Sequence, residues 1–131
     1  MTRRKSATFT EVELEFMHVI WELGEVSTED VQKALDKKDR HLSDGSIRKI
    51  LSILIAKGHL IRRRAGRSFF YRTIVPKAQS HSNMVQDFLK RAFCGSVSHM
   101  VATLLDSNDV KEGDIKEIKR LIKEFERKDK K

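Results

Sequence analysis

Eight basic side chains and no acidic one lie between residues 45 and 75 of this sequence. They are Arg48, Lys49, Lys57, Arg62, Arg63, Arg64, Arg67 and Arg72. The other residues carry equal numbers of basic and acidic side chains, so the formal net charge of +8 belongs to this one block. A charge focused in this way is typical of a surface that binds a polyanion. The alternative for any basic run is a face that is simply solvated. Which of these two interpretations applies depends on the helices and strands that carry the basic residues.

Residue patterns that support catalysis are absent from the sequence. It has no Gly-x-Ser-x-Gly motif, no glycine-rich phosphate loop and no His-Glu-x-x-His motif. Its five histidines, at positions 18, 41, 59, 81 and 99, do not have the spacing of metal ligands. We therefore predict that the protein is not an enzyme and binds no metal and no cofactor.

The composition predicts a helix-rich globular protein in a reducing compartment. Apolar residues make up 39% of the chain and charged residues 35%, with one proline. The single cysteine, Cys94, cannot form an internal disulfide, and we expect it to be a small core residue. The longest apolar stretch, Ile50–Ala56, is too short to cross a bilayer, and the first residues lack a hydrophobic signal segment. We expect a cytoplasmic protein without stable membrane association.

Two short helices are predicted before the basic block. Thr10 and Glu13 have the spacing of a capping box and begin the first helix, which Gly24 ends. Ser27 caps a second helix, which has acidic residues in its first turn and ends near Leu35.

A third predicted helix divides its residues between a core face and an exposed face. It opens at Leu42–Ser43 and ends at Gly58. Its apolar residues have the spacing of a helix packed on a core: Ile47, Ile50, Leu51, Leu54 and Ile55. The opposite face presents small, polar and basic side chains: Gly45, Lys49, Ser52 and Ala56, flanked by Ser46 and Arg48. Such a face can approach another surface closely and offer hydrogen-bond donors to it.

Two β-prone runs, 59–64 and 67–74, follow this helix and are separated by a turn at Ala65–Gly66. Three helices and then a hairpin predict a mostly α protein with a small β wing, a winged helix-turn-helix. The third helix would enter the major groove of DNA, and the wing arginines would follow the backbone or enter the minor groove. The predicted DNA contacts are Gly45, Ser46, Arg48, Lys49, Ser52, Arg62, Arg64, Arg67 and Tyr71. The aromatic run 69–71 is expected chiefly to pack the wing against the core.

Four stretches together match a known pattern: residues 10–17 with Ile20–Trp21, Ser46–Leu51 with Leu54 and Lys57–Gly58, Gly66–Tyr71, and Phe93–Ser96. Over about residues 8–127 the chain resembles the penicillinase repressors of the BlaI/MecI/CopY type. The resemblance implies a dimeric transcriptional repressor on inverted-repeat operators, ahead of β-lactamase or stress-resistance genes. Ile53 stands where relatives often have an arginine, and Asp44–Gly45 where many have larger, less acidic residues. The operator sequence is therefore expected to differ, and Cys94 alone cannot form the cysteine cluster of the copper-responsive branch.

The second half of the chain is predicted to hold two copies together. Pro76 marks the junction between a winged-helix DNA-binding domain, 1–75, and a helical dimerisation domain, 76–131. The second domain has three amphipathic helices, and so small a unit buries too little apolar surface alone. A second copy would cover these faces, and a symmetric operator also requires a two-fold protein. The predicted dimer contacts are Phe88, Phe93, Val97, Met100, Val101 and Leu104. Packing onto the chain's own first domain is the alternative.

The resemblance also concerns how repression ends. In that family a membrane-bound sensor protease leads to a cut in the dimerisation helix, commonly at an Asn–Phe bond. The matching positions here are Thr103–Leu104, so the bond is not preserved. We expect release by another signal or by a protease of different preference, with Leu104 buried until the dimer loosens. The predicted partners are double-stranded DNA, a second copy of the chain and a sensor protease.

Two other functions stay open. One is a winged-helix interaction module whose basic block binds an acidic protein, and Ile53 on the third helix favours it. Gly, Ser, Arg and Lys side chains on that helix favour DNA instead, because protein-binding winged helices expose apolar residues there. The other is a ligand-sensing winged-helix regulator, which would need a pocket between the two domains.

Overall fold

The computed structural model describes residues 9–129, which form six α-helices and one two-stranded antiparallel sheet. In chain order the elements are α1 (Glu11–Leu23), α2 (Thr28–Lys37), α3 (Asp44–Ala56), β1 (Leu60–Ala65), β2 (Ser68–Thr73), α4 (Lys77–Phe93), α5 (Val97–Leu105) and α6 (Glu112–Asp129). The mostly α fold with a β wing is confirmed. The prediction about a signal segment concerns residues that lie outside those described. Within residues 9–129, no helix has the length and apolar character to span a membrane.

The starts of the first two helices follow the predicted capping residues. The Thr10 hydroxyl accepts from the Glu13 amide at 3.1 Å, and the Glu13 carboxylate accepts from the Thr10 amide at 3.2 Å. Ser27 and Asp30 form the same reciprocal pair at the start of α2. Each pair satisfies amides that the first turn of a helix leaves without a partner inside the helix.

One hydrophobic core joins α1, α2, α3 and the wing. It consists of Phe16, Met17, Val19, Ile20, Val26, Val31, Leu35, Ile47, Leu51, Leu54, Leu60 and Tyr71. A short bridge ties the wing to the segment between α1 and α2, because Val26 and Tyr71 exchange two backbone hydrogen bonds of 2.9 and 2.7 Å. Because Ile47, Leu51 and Leu54 belong to this core, the predicted apolar stripe of α3 faces it. Ile50 and Ile55 pack at the edge of the core.

The tip of the wing lies one residue later than predicted. Ala65 pairs with Ser68, so the two turn residues are Gly66 and Arg67, not Ala65 and Gly66. Gly66 has a φ of +63°, which a two-residue hairpin requires at its first turn position and which glycine adopts without strain. The shift places the Arg67 side chain at the tip itself.

The chain forms two compact units that divide between Asp87 and Phe88, inside α4. The predicted boundary at 75/76 lies just before α4 begins and stays a prediction. In the first unit, Ser80 is buried and the ring of His81 lies edge-on to Trp21 at 5.2 Å. These contacts keep the first turns of α4 with the winged helix. The predicted division of roles between the two parts of the chain stays a prediction.

The helices of the second unit leave most of their apolar side chains exposed. Neither α5 nor α6 has a buried residue. The exposed large apolar side chains are Phe88, Val97, Val101, Leu104, Leu105, Leu121, Ile122 and Phe125. Cys94 is also exposed, with a φ of 50° at the end of α4, so the expectation of a core cysteine was wrong.

Candidate nucleic-acid interface

The exposed face of α3 carries the small, polar and basic side chains that the spacing predicts. Gly45, Ser46, Lys49 and Ser52 are all exposed, while Ile47, Leu51 and Leu54 are buried on the other side. Ile53 is only half-buried, so it is not among the exposed large apolar residues. The feature that favoured a protein-interaction module is therefore weak.

Arg48 is exposed on α3 and forms an ion pair with Asp44 one turn earlier. Its Nε donates to the Asp44 Oδ2 at 2.7 Å. This partner was not predicted, although the four-residue spacing on one helix indicates it. The pair lies in the first turns of α3, where the predicted contacts to base edges also lie.

The wing presents Arg62 and Arg64 on the face that carries Phe69. The Cζ atoms of Arg62 and Arg64 lie 4.3 and 5.9 Å from the centre of the Phe69 ring. Arg64 also donates from Nε to the carbonyl oxygen of Gly66 at 3.0 Å. The ring and the turn backbone thus position two exposed guanidinium groups beside the wing tip.

Arg63 points to the opposite face of the wing and is engaged within the chain. It donates to both carboxylate oxygens of Glu25, at 2.8 and 2.7 Å, and its Cζ lies 5.1 Å from the centre of the Phe70 ring. These hydrogen bonds hold the pKa of Glu25 below its ordinary value. Arg63 therefore fixes the wing to the segment after α1, and it was not among the predicted DNA contacts.

A cleft of about 340 Å³ separates the wing from the starts of α2 and α3. Its lining residues are Ser27, Thr28, Glu29, Arg48, Arg67, Ser68, Phe69, Phe70 and Tyr71. The cleft brings together three predicted contacts from different elements: Arg48, Arg67 and Tyr71. It also adds the start of α2, which was not among the predicted contacts. Ser52 and Arg62 line a second, shallower depression.

Tyr71 does not belong with the exposed contacts. It is 5% exposed, and its backbone pairs with Val26. Tyr71 shares its face of β2 with Phe69, but it lies nearer the base of the wing, where it pairs with Val26 and joins the core. Tyr71 is therefore not among the proposed DNA contacts.

The predicted dimer contacts lie in the second unit. Phe88, Val97, Val101 and Leu104 are exposed, whereas Phe93 and Met100 are half-buried. The Thr103–Leu104 bond lies in the last turn of α5, where the Thr103 hydroxyl donates to the carbonyl oxygen of His99 at 2.9 Å. Leu104 is 53% exposed in the single chain.

Across residues 9–129, no group of three or more His, Cys, Asp or Glu residues could hold a metal ion.

Three helices, a hairpin and a polar, basic α3 face beside wing arginines define a winged-helix DNA-binding protein. Residues 9–124 match the model of the penicillinase repressor family, and the chain belongs to that family. It is 30% identical to an uncharacterised 16.5 kDa protein of Latilactobacillus sakei, over 86% of this chain and 77% of that protein. It is 29% identical to the penicillinase repressor of Bacillus licheniformis, over 92% of this chain and 94% of that protein.

A solved structure is also similar to the first part of the chain. The DNA-binding domain of the repressor BlaI is 32% identical, with a TM-score of 0.50. The similarity covers 60% of this chain and 92% of that domain.

Proposed function

We propose that this chain is a DNA-binding transcriptional repressor that acts as a homodimer on an inverted-repeat operator. The observation that carries the proposal is the division of α3, whose apolar residues enter the core while Gly45, Ser46, Lys49 and Ser52 face outward. Membership of the penicillinase repressor family and the similarity to the BlaI DNA-binding domain support the repressor function. Regulation of β-lactamase or stress-resistance genes, in the cytoplasm, is part of the same proposal.

Binding would combine base contacts from α3 with backbone contacts from the wing. A helix fits the major groove, where Arg48 and Lys49 near the start of α3 would meet base edges. Arg64 and Arg67 flank Gly66 at the wing tip, where they can follow phosphates or enter a minor groove. The cleft between the wing and α3 would follow the edge of the duplex.

The second unit supports the homodimer. Its helices expose large apolar side chains on α4, α5 and α6, more than a monomer leaves uncovered without a function. A second copy related by a two-fold axis would bury them and would also align two copies of α3 with the two half-sites of an operator.

Loss of repression would follow from separation of the two copies. A cut between Thr103 and Leu104 would remove α6 from the rest of the chain and reduce the apolar surface available to a partner. Each released copy would bind one half-site and lose the advantage of linkage between half-sites. A protease that acts downstream of a sensor is the partner this mechanism requires.

Selection of bound fragments from a random double-stranded DNA pool tests the proposal. The full chain should enrich a sequence with two-fold symmetry. Recovery of unselected sequences at every round would overturn the operator, and enrichment of an asymmetric site would overturn the symmetric homodimer. Lys37→Ala is the control, because it removes an exposed positive charge from α2 outside the basic block. This variant should enrich the same sequence as the wild-type chain.

A further inference from the structure

The first turns of α3 carry a negative charge in the middle of the proposed DNA interface. Asp44 and Arg48 are well exposed, at 56% and 62% of their side-chain surface, and their single contact joins Oδ2 to Nε at 2.7 Å. Among the described residues, the two terminal nitrogens of Arg48 make no hydrogen bond. The carboxylate therefore holds the guanidinium from its side and leaves its terminal fork open.

An open fork is the geometry that a guanine requires. The two terminal nitrogens of an arginine can donate together to O6 and N7 of guanine in the major groove, which is the commonest specific contact between proteins and bases. An arginine held at Nε loses less side-chain freedom when it makes that contact than an arginine that moves freely. Arg48 also lines the cleft that contains Arg67, so it lies where a duplex would pass.

The carboxylate of Asp44 also opposes contacts to the DNA backbone, which carry no sequence information. Backbone amides at the start of a helix attract phosphate groups. Asp44 is the first residue of α3 and places a negative charge at that position. A DNA backbone that came close to the start of α3 would be repelled unless Arg48 gained a base contact in return.

We propose that Asp44 is a positioning residue for sequence specificity: it holds Arg48 so that its fork meets a guanine, and it weakens binding to DNA that lacks that guanine. The proposal rests on the operator-binding function above and names the class of base that the interface selects. Ser43 caps α3 by accepting from the Ser46 amide at 3.1 Å, so substitutions at Asp44 leave the cap in place.

Two substitutions separate the hydrogen bond from the charge. Asp44→Asn keeps an oxygen that can accept from Arg48 but removes the charge, so binding to random-sequence DNA should strengthen several-fold. Asp44→Ala removes both, and the preference for guanine at one position of each half-site should fall about two- to tenfold, the cost of ordering an arginine that Asp44 no longer holds. Asp39→Asn is the control with the same change of charge, because Asp39 lies in the loop before α3 and its partner is His41.

The experiment measures affinity for the selected operator, for single-base variants of it and for random DNA, with each full-length protein. Arg48→Ala and the double variant Asp44→Ala/Arg48→Ala complete the set. If Asp44 acts through Arg48, Asp44→Ala should have no further effect on the guanine preference once Arg48 is absent. An unchanged guanine preference in Asp44→Ala, or an equal loss in the Arg48→Ala background, would overturn the inference. Failure of the wild-type protein to enrich any operator would instead overturn the proposed function.

Discussion

The carboxylate of Glu13 joins the start of α1 to the end of α3 through the ammonium group of Lys57. Glu13 Oε1 lies 2.7 Å from Lys57 Nζ and also accepts from the Thr10 amide at 3.2 Å. Glu13 is only 4% exposed. The capping-box glutamate of the first helix and the lysine after the third helix therefore form one unit, which brings together two of the separate motifs that carry the family resemblance.

The stability of the winged helix should depend on this pair. Lys57→Met leaves the Glu13 carboxylate buried without its cation, and we expect a loss of about 2–3 kcal/mol in the free energy of unfolding. Arg40→Met is the matched control, because the Arg40–Glu15 pair is much more exposed and should contribute less than about 1 kcal/mol. Urea unfolding of the full chain measures both. Equal losses in the two variants would contradict the special role of the buried pair.

Local features were predictable because their partners lie close together in the sequence. Thr10 and Glu13 are three residues apart, and the apolar stripe of α3 repeats along a single helix, so spacing alone indicates both. The Lys57–Glu13 and Arg63–Glu25 pairs join residues 44 and 38 positions apart. Periodicity assigns a residue to a face but does not say which distant charge meets it. The near-complete burial of Tyr71 has a related cause, since its backbone pairs with Val26, a residue far away in the sequence.

The packing of the first turns of α4 on the winged helix could not be found from composition either. Pro76 is the natural break in the sequence, but the contact of His81 with Trp21 depends on how α4 packs on α1. Such packing is a tertiary property, and a proline only fixes where a helix can begin.

Phe69 should support DNA binding without touching base edges. Phe69→Leu removes the ring that lies beside Arg62 and Arg64, and each contact of this kind contributes about 0.5–1 kcal/mol at an exposed site. We expect affinity for operator and random DNA to fall together, by several-fold, because both guanidinium groups are then held less firmly beside the wing tip. Phe70→Leu is the control, because its neighbour Arg63 is also held by Glu25. Fluorescence anisotropy with labelled duplexes gives both affinities, and a larger loss in Phe70→Leu would contradict this role.

Salt should weaken DNA binding steeply. If a dimer neutralises six to ten phosphates, log K should fall against log salt with a slope of roughly −5 to −9. Arg67→Ala at the wing tip should weaken binding to every sequence and reduce the magnitude of the slope by about one per lost contact. Lys37→Ala on α2 should leave the slope unchanged. An affinity that does not depend on salt would contradict the role of the basic block.

The loop before α3 should stabilise the fold more at low pH than at high pH. The ring nitrogens of His41 lie 2.9 Å from an oxygen of Asp36 and 3.1 Å from an oxygen of Asp39. Both nitrogens donate only in the protonated ring, and the bonds to Asp36 and then Asp39 raise the pKa of His41 above its ordinary value of 6.5.

A raised pKa in the folded state means that stability from this group is complete below the unfolded value and is lost as pH rises through the folded value. Unfolding free energies of the wild type and of His41→Asn, measured between about pH 5 and 9, should therefore converge at the high end. His99→Asn, whose ring lies edge-on to Phe93, is the control and should leave this part of the pH dependence intact. A constant difference between wild type and His41→Asn would contradict the assignment.

Two equally exposed leucines distinguish an interface from an ordinary surface. Leu104 on α5 and Leu23 at the end of α1 are each 53% exposed in the single chain. If the second unit pairs two copies, Leu104→Arg places a charge in the buried interface, where it has no partner, and the full-length protein should sediment as a monomer. Leu23→Arg should remain a dimer, because Leu23 belongs to the winged-helix unit. The monomeric Leu104→Arg protein should also lose affinity for a full operator while it keeps the wild-type affinity for one half-site, since its α3 and wing are unchanged. A wild-type protein that sediments as a monomer at micromolar concentration, or a dimer that Leu104→Arg leaves intact, would contradict the proposed homodimer.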